Sequence, residues 1–449
     1  MRHEPILAVV EPSVSQSEVL SAFSFALDLT EGQPQGHSLR ACYIGSLLGR
    51  EIGLPQAELD ELFYSVLLKD LGCSSNAARI WELYAADDLE FKRAYKTIGT
   101  GLPATLGFVF DKTGVGKPLR RRVGAIANIL RNGDTIAQEM IETRCTRGSD
   151  IARKIGLSEA VCSGIYHLDE HFDGSGRPAK IAGDSIPLFA RIALLAQIAD
   201  VFHSHAGPQA AIEEVVSRSG SWLDPELVKA FRSLVMHNGF WSGLAAHNIE
   251  ANIARLAPKA EFRTLDEDYL DLVAEAFGEV IDAKSPYTSG HSLRVADFAD
   301  GVAARMDVIP ARRRELRRAA ALHDIGKLGV SNAILDKPGK LGEEEWDVMR
   351  SHASLTQEIL GRISVFSNMA SLAAAHHERL DGTGYPLGLA ERELARETRI
   401  ITVCDFYDAL TADRPYRAAM PREKALSIME GEIGKAIDAD CFEALRAIT

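Results

Sequence analysis

The sequence predicts an all-α fold made of two related domains. Apolar residues recur at steps of three and four along the chain, most clearly over 264–284. One buried face of that segment would contain Leu270, Val273, Phe277, Val280 and Ile281. Alternating apolar and polar residues, the pattern of a half-buried strand, are hard to find. At 449 residues the chain is too long for one compact core, so two domains are expected.

The same spacing predicts further helices along the chain. They lie at 40–50, 57–70, 310–324, 343–350 and 391–412. Thr264-Leu-Asp-Glu267 has the spacing of a capping box, in which a hydroxyl and a carboxylate satisfy free N–H groups at a helix start. A domain is therefore expected to begin near residue 264.

Composition limits the class of protein. Hydrophobic residues make up 46% and charged residues 25%, as in soluble globular proteins. The net charge of −13 argues against binding to DNA or RNA polymers, which need a broad basic surface. The six cysteines form no CxxC pair, which indicates neither a zinc ribbon nor a disulfide framework. Without a signal peptide or an apolar span, we expect a cytoplasmic protein with no membrane contact.

Repeated motifs divide the chain into two copies. GHSLR occurs at 36–40 and 290–294, and LKDLGC at 68–73 returns as LHDIGK at 322–327, both at an offset of 254 residues. DGSGRP at 173–178 pairs with DGTGYP at 381–386 at an offset of 208, and the difference between 254 and 208 leaves 46 additional residues in the first copy.

These offsets set the predicted domain boundaries. The first copy would span 1–235, with an insertion at about 78–125, and a connector would cover 236–262. The second copy would span 263–449. The Gly-rich, basic stretch 97–122 is interpreted as a mobile surface excursion from the first copy.

The second copy concentrates the residues that carry chemistry. Five of the 13 histidines follow His247, and Asp324 and Asp405 stand in similar short polar motifs. The five are His291, His323, His352, His376 and His377. A single buried histidine is usually a hydrogen-bonded core residue. Several imidazoles beside carboxylates, however, are the usual ligands of Fe, Mn, Zn or Ni, so the set predicts metal binding.

Adjacent ligands indicate two metals. Neighbours on a helix point about 100° apart, so His323 and Asp324, or His376 and His377, are not expected to converge on one ion. They could straddle two ions bridged by Asp324, an arrangement suited to a phosphodiester. Lys327, one turn after Asp324, would hold its ammonium against a phosphate oxygen, with a solvated surface lysine as the alternative.

These motifs resemble the signature of the HD-GYP domain, a bacterial branch of the HD-superfamily phosphohydrolases. The resemblance rests on HDIGK at 323–327 and HHERLDGTGYP at 376–386. It extends through KPGKL at 337–341, VCDFYDAL at 403–410 and DRPYR at 413–417. It implies a metal-dependent signal-transduction phosphodiesterase in which a metal-bound hydroxide linearises cyclic di-GMP to pGpG, often continuing to GMP.

The resemblance also assigns roles to residues. The implied metal ligands are His291, His323, Asp324, His352, His376, His377 and Asp405. Catalysis falls to His323, Asp324 and Lys327, and the implied substrate contacts are Lys327, Asp408, Arg414 and Arg417. Tyr287 stands where some members carry a glutamate for a third metal, so two divalent transition metals, Fe or Mn, are expected. For Arg414 and Arg417 a surface ion pair is the alternative.

The first copy resembles the same domain without its metal ligands. It retains His37 and Asp70, but Lys69 replaces the motif histidine and Cys73 the motif lysine. The other aligned positions hold Arg144, Leu168, Asp169, Arg177 and Gln197. Lys69 and Arg144 would place cationic groups where metals should lie. This copy is therefore expected to pack on the second, or to bind a regulator.

Other functions compete with hydrolysis of cyclic di-GMP. The substrate could instead be 3′3′-cyclic GMP-AMP, and a non-catalytic sensor or interaction module would fit the first copy. A single-metal nucleotidase would need only four ligands, so His352, His376 and His377 argue against it. The expected partner is a cyclic dinucleotide, with a homodimer or a signalling protein bound through the first copy.

Overall fold

The prediction of an all-α fold is confirmed by the computed structural model. It describes residues 15–449 except 100, 116–117, 246, 248, 260–264 and 414–416, with the side chain of residue 102 also left aside. These ranges contain helices and three isolated bridges but no β-strand. None of the described helices combines the length and the apolar content needed to cross a bilayer.

The first copy and the connector contain thirteen described α-helices. They are α1 (Gln16–Thr30), α2 (His37–Glu51), α3 (Gln56–Leu67), α4 (Ala77–Tyr84), α5 (Asp88–Tyr95), α6 (Leu102–Lys112), α7 (Leu119–Lys154), α8 (Glu159–Tyr166), α9 (Leu188–Ala206), α10 (Pro208–Ser217), α11 (Pro225–Leu234), α12 (Phe240–Gly243) and α13 (Ile249–Leu256). Short 3₁₀ turns follow α3 and α8, at Cys73–Asn76 and Gly183–Ser185.

The second copy contains nine described α-helices. They are α14 (Glu267–Asp282), α15 (His291–Arg305), α16 (Pro310–Leu322), α17 (Asn332–Leu335), α18 (Glu343–Gly361), α19 (Ser367–Ala374), α20 (Arg396–Thr411), α21 (Arg422–Glu430) and α22 (Ala439–Arg446). Five 3₁₀ turns lie between them, at Pro286–Thr288, Ile325–Gly329, Ser364–Phe366, Ala375–His377 and Glu391–Glu393.

The helix cap predicted at Thr264 lies outside the described residues. Helix α14 instead begins at Glu267, where the Asp266 carboxylate accepts a hydrogen bond of 2.8 Å from the Tyr269 N–H. Aspartate at this position satisfies an otherwise free donor of the first turn. The apolar face predicted for this segment is buried as expected, at Leu270, Val273, Phe277, Val280 and Ile281.

The stretch 97–122, interpreted from sequence as a surface excursion, is largely helical where it is described. It contains α6 and the start of α7, a helix of 36 residues. Ile80 on α4, Phe91 on α5 and Phe108 on α6 form a small separate core. The sequence did not predict these helices, because glycine and basic residues interrupt the apolar spacing of the stretch. Its apolar contacts are made between helices rather than along one helix.

The two copies share one continuous hydrophobic core. Phe23 on α1 and Phe277 on α14 stack with ring centroids 3.9 Å apart, and they occupy equivalent positions at the 254-residue offset. A residue that meets its own equivalent marks a two-fold relation of the kind found in symmetric dimers. Helix α1 also packs on the turn Ile325–Gly329 and on α18. The first copy therefore supports the segment that follows the HD motif.

A buried ion pair adds a second connection between the copies. Asp88, the first residue of α5, lies 3.4 Å from the Lys284 ammonium, and both side chains are almost completely buried. Asp88 also accepts hydrogen bonds from the Asn332 N–H at 2.7 Å and the Ser331 hydroxyl at 3.0 Å. Lys284 in turn donates to the Leu328 carbonyl at 3.1 Å. The predicted insertion is thus joined to the loop that follows HDIGK.

Replacing Asp88 with alanine is expected to lower the free energy of unfolding by about 3–5 kcal/mol, because the Lys284 ammonium would remain buried without a counter-charge. Chemical denaturation followed by circular dichroism would measure the loss. The double variant Asp88→Ala/Lys284→Met removes the unpaired charge and should lose less than Asp88→Ala alone. A loss below about 1 kcal/mol for the single variant would contradict this role.

Candidate metal centre

The seven residues predicted as metal ligands lie together in one buried cluster of the second copy. His291 begins α15, His352 lies in α18 and Asp405 in α20. His323 and Asp324 follow the end of α16, and His376 and His377 form the turn after α19. Five separate segments therefore supply the set, which we call the histidine–aspartate cluster. The fold brings together what the sequence spreads over 115 positions, from 291 to 405.

Gly326 of the HDIGK motif allows two of these segments to meet. A side-chain carbon at this position would overlap the main-chain carbonyl of His352. The Gly326 N–H donates to the Thr356 hydroxyl at 3.1 Å, and that hydroxyl donates to the His323 carbonyl at 3.0 Å. This close approach places His352 beside Asp324. The motif glycine is therefore required for packing against α18.

Three of the imidazoles are oriented by backbone carbonyls. The Nδ1 atoms of His323, His352 and His376 lie 2.7, 2.6 and 2.6 Å from the carbonyl oxygens of the residues three positions earlier. A hydrogen bond from Nδ1–H leaves the Nε2 lone pair free to bind a metal. The Nε2 atoms of these three residues and of His291 are buried, and each lacks a hydrogen-bond partner, as does Asp324 Oδ1. Such unsatisfied polar atoms fit a divalent cation.

Asp324 lies at the centre of the cluster. Its Oδ2 atom is 3.5 Å from His291 Nε2 and 3.4 Å from His323 Nε2. Its Oδ1 atom is 3.6 Å from both His352 Nε2 and His376 Nε2. The two carboxylate oxygens therefore face two groups of possible ligands, His291 with His323 and His352 with His376 and His377. Asp405 Oδ1 adds a donor 3.4 Å from His291 Nε2.

The sequence predicted that adjacent ligands would point toward different metals because neighbours on a helix diverge. The structure does not support that reasoning at this site. His323 and Asp324 fall in the same group, as do His376 and His377. Neither pair lies within an α-helix, because α16 ends at Leu322 and His376 and His377 belong to a 3₁₀ turn. The helical angle of 100° thus does not apply. The case for two cations rests instead on the two groups that share Asp324.

The cluster strongly favours a positive charge at its centre. Burial alone would raise the pKa of Asp324, but His323 and Lys327 outweigh burial and hold it well below its usual value. Burial lowers the pKa of His352 to about 4 and that of His377 to about 3, so both imidazoles are neutral at pH 7, the form that can bind a metal. For His291, burial is outweighed by Asp324 and Asp408, which raise its pKa to about 9. A cation can supply the charge that this proton otherwise provides.

Asp408 differs from the substrate contact expected from the sequence. Its side chain is 2% exposed, and its Oδ2 atom lies 2.7 Å from His291 Nδ1. Arg294 donates to both carboxylate oxygens, through Nε at 2.6 Å and Nη2 at 3.0 Å. Both oxygens are thus engaged by protein groups. The geometry makes Asp408 a positioning residue that orients the His291 ring.

The other predicted substrate contacts are Arg414, Arg417 and Lys327, and they differ in where the structure places them. Arg414 lies outside the described residues. Arg417 donates to the carbonyls of Ala409 at 2.6 Å and Leu410 at 2.9 Å, so its guanidinium caps the end of α20. Lys327 Nζ lies 2.5 Å from Asp324 Oδ2 and keeps 19% of its side chain exposed. Of these cations, Lys327 has the geometry to reach a phosphate near the cluster.

The loop DGTGYP is held by a residue that the sequence analysis missed. Glu378 is 1% exposed and accepts hydrogen bonds from the N–H groups of Leu387 at 2.6 Å, Gly388 at 3.1 Å and Leu389 at 2.9 Å. This arrangement places Tyr385 against His377, with ring centroids 4.8 Å apart. Glu170 is its equivalent in the first copy at the offset of 208. That repetition was the available signal.

The first copy contains the corresponding cluster with a lysine in it. Lys69 is 3% exposed, and its Nζ atom lies 3.1 Å from His37 Nε2 and beside the Asp70 carboxylate. His37 Nδ1 lies 2.7 Å from Asp200, which also accepts from Arg40 at 2.6 Å. This reproduces the arrangement of His291, Asp408 and Arg294. As expected from the sequence, an ammonium group lies where a metal would be bound.

A buried set of imidazoles and carboxylates within a bundle of helices defines a metal-binding hydrolytic class of protein. The HD domain family model matches residues 121–227 and 275–441 of this chain. The 3′3′-cGAMP-specific phosphodiesterase 3 of Vibrio cholerae is 51% identical over 440 residues, which cover 98% of this chain and 96% of that protein.

Two further comparisons agree with this match. A cyclic di-GMP phosphodiesterase of Thermotoga maritima is 37% identical over 186 residues, which cover 41% of this chain and 50% of that protein. The crystal structure of a cyclic GMP-AMP specific phosphodiesterase of Vibrio cholerae aligns with a TM-score of 0.65 and 46% identity, covering 96% of this chain and 97% of that chain. The chain belongs to the HD domain family, in its HD-GYP branch of metal-dependent phosphodiesterases.

Asp408→Asn is expected to weaken metal binding about 10- to 100-fold, because the neutral amide orients His291 less strongly than a carboxylate. Titration of the metal-free protein with Mn²⁺, followed by calorimetry, would measure the change. Asp300→Asn, which removes a carboxylate from a partly exposed pair with Arg313, is the matched control and should leave the affinity unchanged. Equal affinities for Asp408→Asn and the unaltered protein would contradict the positioning role.

Proposed function

We propose that this enzyme hydrolyses 3′3′-cyclic GMP-AMP to a linear dinucleotide. The observation that carries the reaction class is the histidine–aspartate cluster, in which two groups of unsatisfied donors share the Asp324 carboxylate. The substrate is supported by the 3′3′-cGAMP-specific relative, which matches almost the whole chain, including the first copy. Cyclic di-GMP is the second candidate, because relatives named as cyclic di-GMP phosphodiesterases also match the chain. They rank second because they cover 35–42% of it at 35–38% identity.

The cluster would hold two divalent cations. His291, His323 and Asp405 would bind one, His352, His376 and His377 the other, and Asp324 would bridge them. Cations bound there would supply Lewis acidity to activate water and positive charge to neutralise the phosphate. Nitrogen and oxygen donors without a cysteine suit iron or manganese, which we propose as the metals. Tyr287, a phenol rather than a carboxylate, provides no ligand for a third cation at that position.

Residues around the cluster would orient the imidazole rings, bind the phosphate and position the DGTGYP loop. Asp408 and three backbone carbonyls fix the imidazole rings, so the donors are in place before substrate arrives. Lys327 is held by Asp324 at the exposed side of the cluster, where its ammonium would bind a non-bridging phosphate oxygen. Glu378 keeps the DGTGYP loop and Tyr385 beside His377. This loop would form the rim on which a base could pack.

The setting of the enzyme is also part of the proposal. We infer a cytoplasmic protein, supported by a chain that resembles ordinary globular proteins in composition and by cysteines that are all free and buried among the described residues. A homodimer or a signalling partner would bind through the first copy. Exposed apolar side chains on α6 and α7, at Leu106, Phe110, Val123 and Leu130, support an interaction surface there.

Purified protein is expected to contain about two metal ions per chain by inductively coupled plasma mass spectrometry, because two donor groups share Asp324. The double variant His323→Ala/Asp324→Ala should lose most of this metal. Lys69→Ala, the matched change in the first copy, should leave the content unchanged. A value near one ion per chain would favour a single-metal nucleotidase. Loss of metal in Lys69→Ala would indicate that the metal centre lies in the first copy and would contradict the assignment to the second.

Incubation of metal-loaded protein with each cyclic dinucleotide, followed by chromatography, would test the substrate. We expect the highest kcat/KM for 3′3′-cyclic GMP-AMP. Lys327→Met should lower kcat by about 10²- to 10³-fold with little change in metal content, because one charge-stabilising donor is lost. The exposed Lys424→Met is the matched control and should retain full activity. Preference for cyclic di-GMP would overturn the substrate, and full activity of Lys327→Met would overturn the role of the lysine.

A further inference from the structure

A cavity of about 370 Å³ lies in the first copy at the place equivalent to the catalytic site. Cys73, Arg144, Asp169 and Gln197 line it, and their equivalents in the second copy are Lys327, His352, His377 and Asp405. Helices α4, α5 and α6 of the predicted insertion close one side. The cavity has therefore been rebuilt with different chemistry.

Cationic side chains outnumber carboxylates in the lining of this cavity. Its lining contains five cationic side chains but only two carboxylates, Glu31 and Asp169. The five cations are Lys92, Lys96, Arg144, Arg177 and Arg218. His171 also lines the cavity, and burial lowers its pKa to about 4, so it is neutral at pH 7. In a chain of net charge −13, this concentration of cations favours an anionic ligand.

Each of the five cations has a carboxylate partner, so four carboxylates face five cations. Glu31 and Asp169 belong to the lining, and Asp134 and Glu214 lie outside it. Arg144 pairs with Asp169, Lys96 lies 2.7 Å from Glu31, and Arg177 pairs with Asp134, a carboxylate that is 77% exposed. An arginine that pairs with an exposed carboxylate can still donate to a ligand from its other N–H groups. Arg177 Nε is buried and has no hydrogen-bond partner, and the same is true of Gln197 Oε1.

Aromatic rings form another part of the lining. Trp222 stacks on the His171 ring at 4.1 Å between centroids, and the Arg218 guanidinium lies 4.2 Å from the centre of the Trp222 ring. Tyr84 and Tyr95 flank Phe91 on the side of the insertion. Planar aromatic surfaces beside arginines are the usual means of binding a nucleobase together with its phosphate.

From these features we propose that the cavity of the first copy binds a nucleoside monophosphate. The phosphate would bind between Arg144, Arg177 and Lys96, and the base would lie against the aromatic rings, within reach of Gln197. The volume is near the lower end of the range for small-molecule sites, about 300–1,000 Å³, which favours one nucleotide over two. Lys69 fills the position of a metal, so the ligand is bound and not hydrolysed.

Isothermal titration calorimetry with GMP and with AMP would test this site in the full chain. The His323→Ala/Asp324→Ala background is used so that hydrolysis at the second copy does not contribute. We expect one binding event for at least one nucleotide, with quenching of tryptophan fluorescence. Arg177→Met should weaken it at least tenfold, Trp222→Leu should remove the quenching, and Arg177→Lys should recover part of the affinity. Arg153→Met, an exposed arginine outside the cavity, is the matched control and should bind normally.

Circular dichroism would verify that the variants fold, and guanosine and inorganic phosphate separate the two parts of the ligand. Each should bind more weakly than the nucleotide. Absence of binding by GMP and AMP, or binding unaffected by Arg177→Met and Trp222→Leu, would overturn the proposal. If inorganic phosphate bound as tightly as the nucleotide, the base would contribute nothing to binding, and the proposal of a nucleotide ligand would be wrong. Because the readout is binding to a hydrolysis-deficient protein, it is independent of the substrate proposed for the second copy.

Discussion

The buried aspartate of the HD motif is the constraint on which both copies depend. A carboxylate removed from water destabilises the folded state unless it is paired with a positive group, hydrogen-bonded or protonated. Asp324 and Asp70 occupy equivalent positions, and both are 1% exposed. The first copy satisfies its carboxylate with the Lys69 ammonium, which is part of the chain. The second copy has the His323 imidazole at that position. The positive groups beside its carboxylate are the Lys327 ammonium, 2.5 Å from Asp324 Oδ2, and the His291 ring, whose pKa is raised to about 9. The two copies thus share a buried carboxylate and differ in the groups placed around it.

The framework around this aspartate is retained in both copies. Asp28 accepts from the Ser38 N–H at 2.8 Å, and Asp282 accepts from the Ser292 N–H at 3.2 Å, at equivalent helix starts. The pairs of Asp200 with Arg40 and of Asp408 with Arg294 repeat in the same way, as do the loops held by Glu170 and Glu378. These residues satisfy backbone donors and connect helices, so they stabilise the fold whether or not a metal is present. This explains how the first copy keeps the same architecture with different residues at the predicted ligand positions.

The contact between the copies links the two sites physically. Helix α5 carries Phe91 and Lys92 in the wall of the first cavity and begins at Asp88, which binds the loop after HDIGK. The stacked Phe23 and Phe277 lie in one hydrophobic core, with α1 packed on the Ile325–Gly329 turn that follows Asp324. The first copy therefore supports the geometry of the second, although most of the predicted ligand positions hold other residues in it. Its loss would expose apolar surface on α14 and α18 as well as the buried Lys284.

The sequence by itself determined the helical class, the repeat and the seven candidate ligands, because periodicity and motif spacing are local properties. It also identified Lys69 as a group that replaces a metal. Only the tertiary structure showed that Asp408 contacts His291 and Arg294 and that Arg417 donates to carbonyls near the end of α20, since these partners lie on other segments or at a helix end. The ends of α16 and α19 explain how adjacent predicted ligands can converge, because the angle of about 100° between neighbours applies only within a helix. The sequence also did not predict the charged cavity of the first copy, since its five cations are spread over 127 positions, from 92 to 218, and are brought together only by packing.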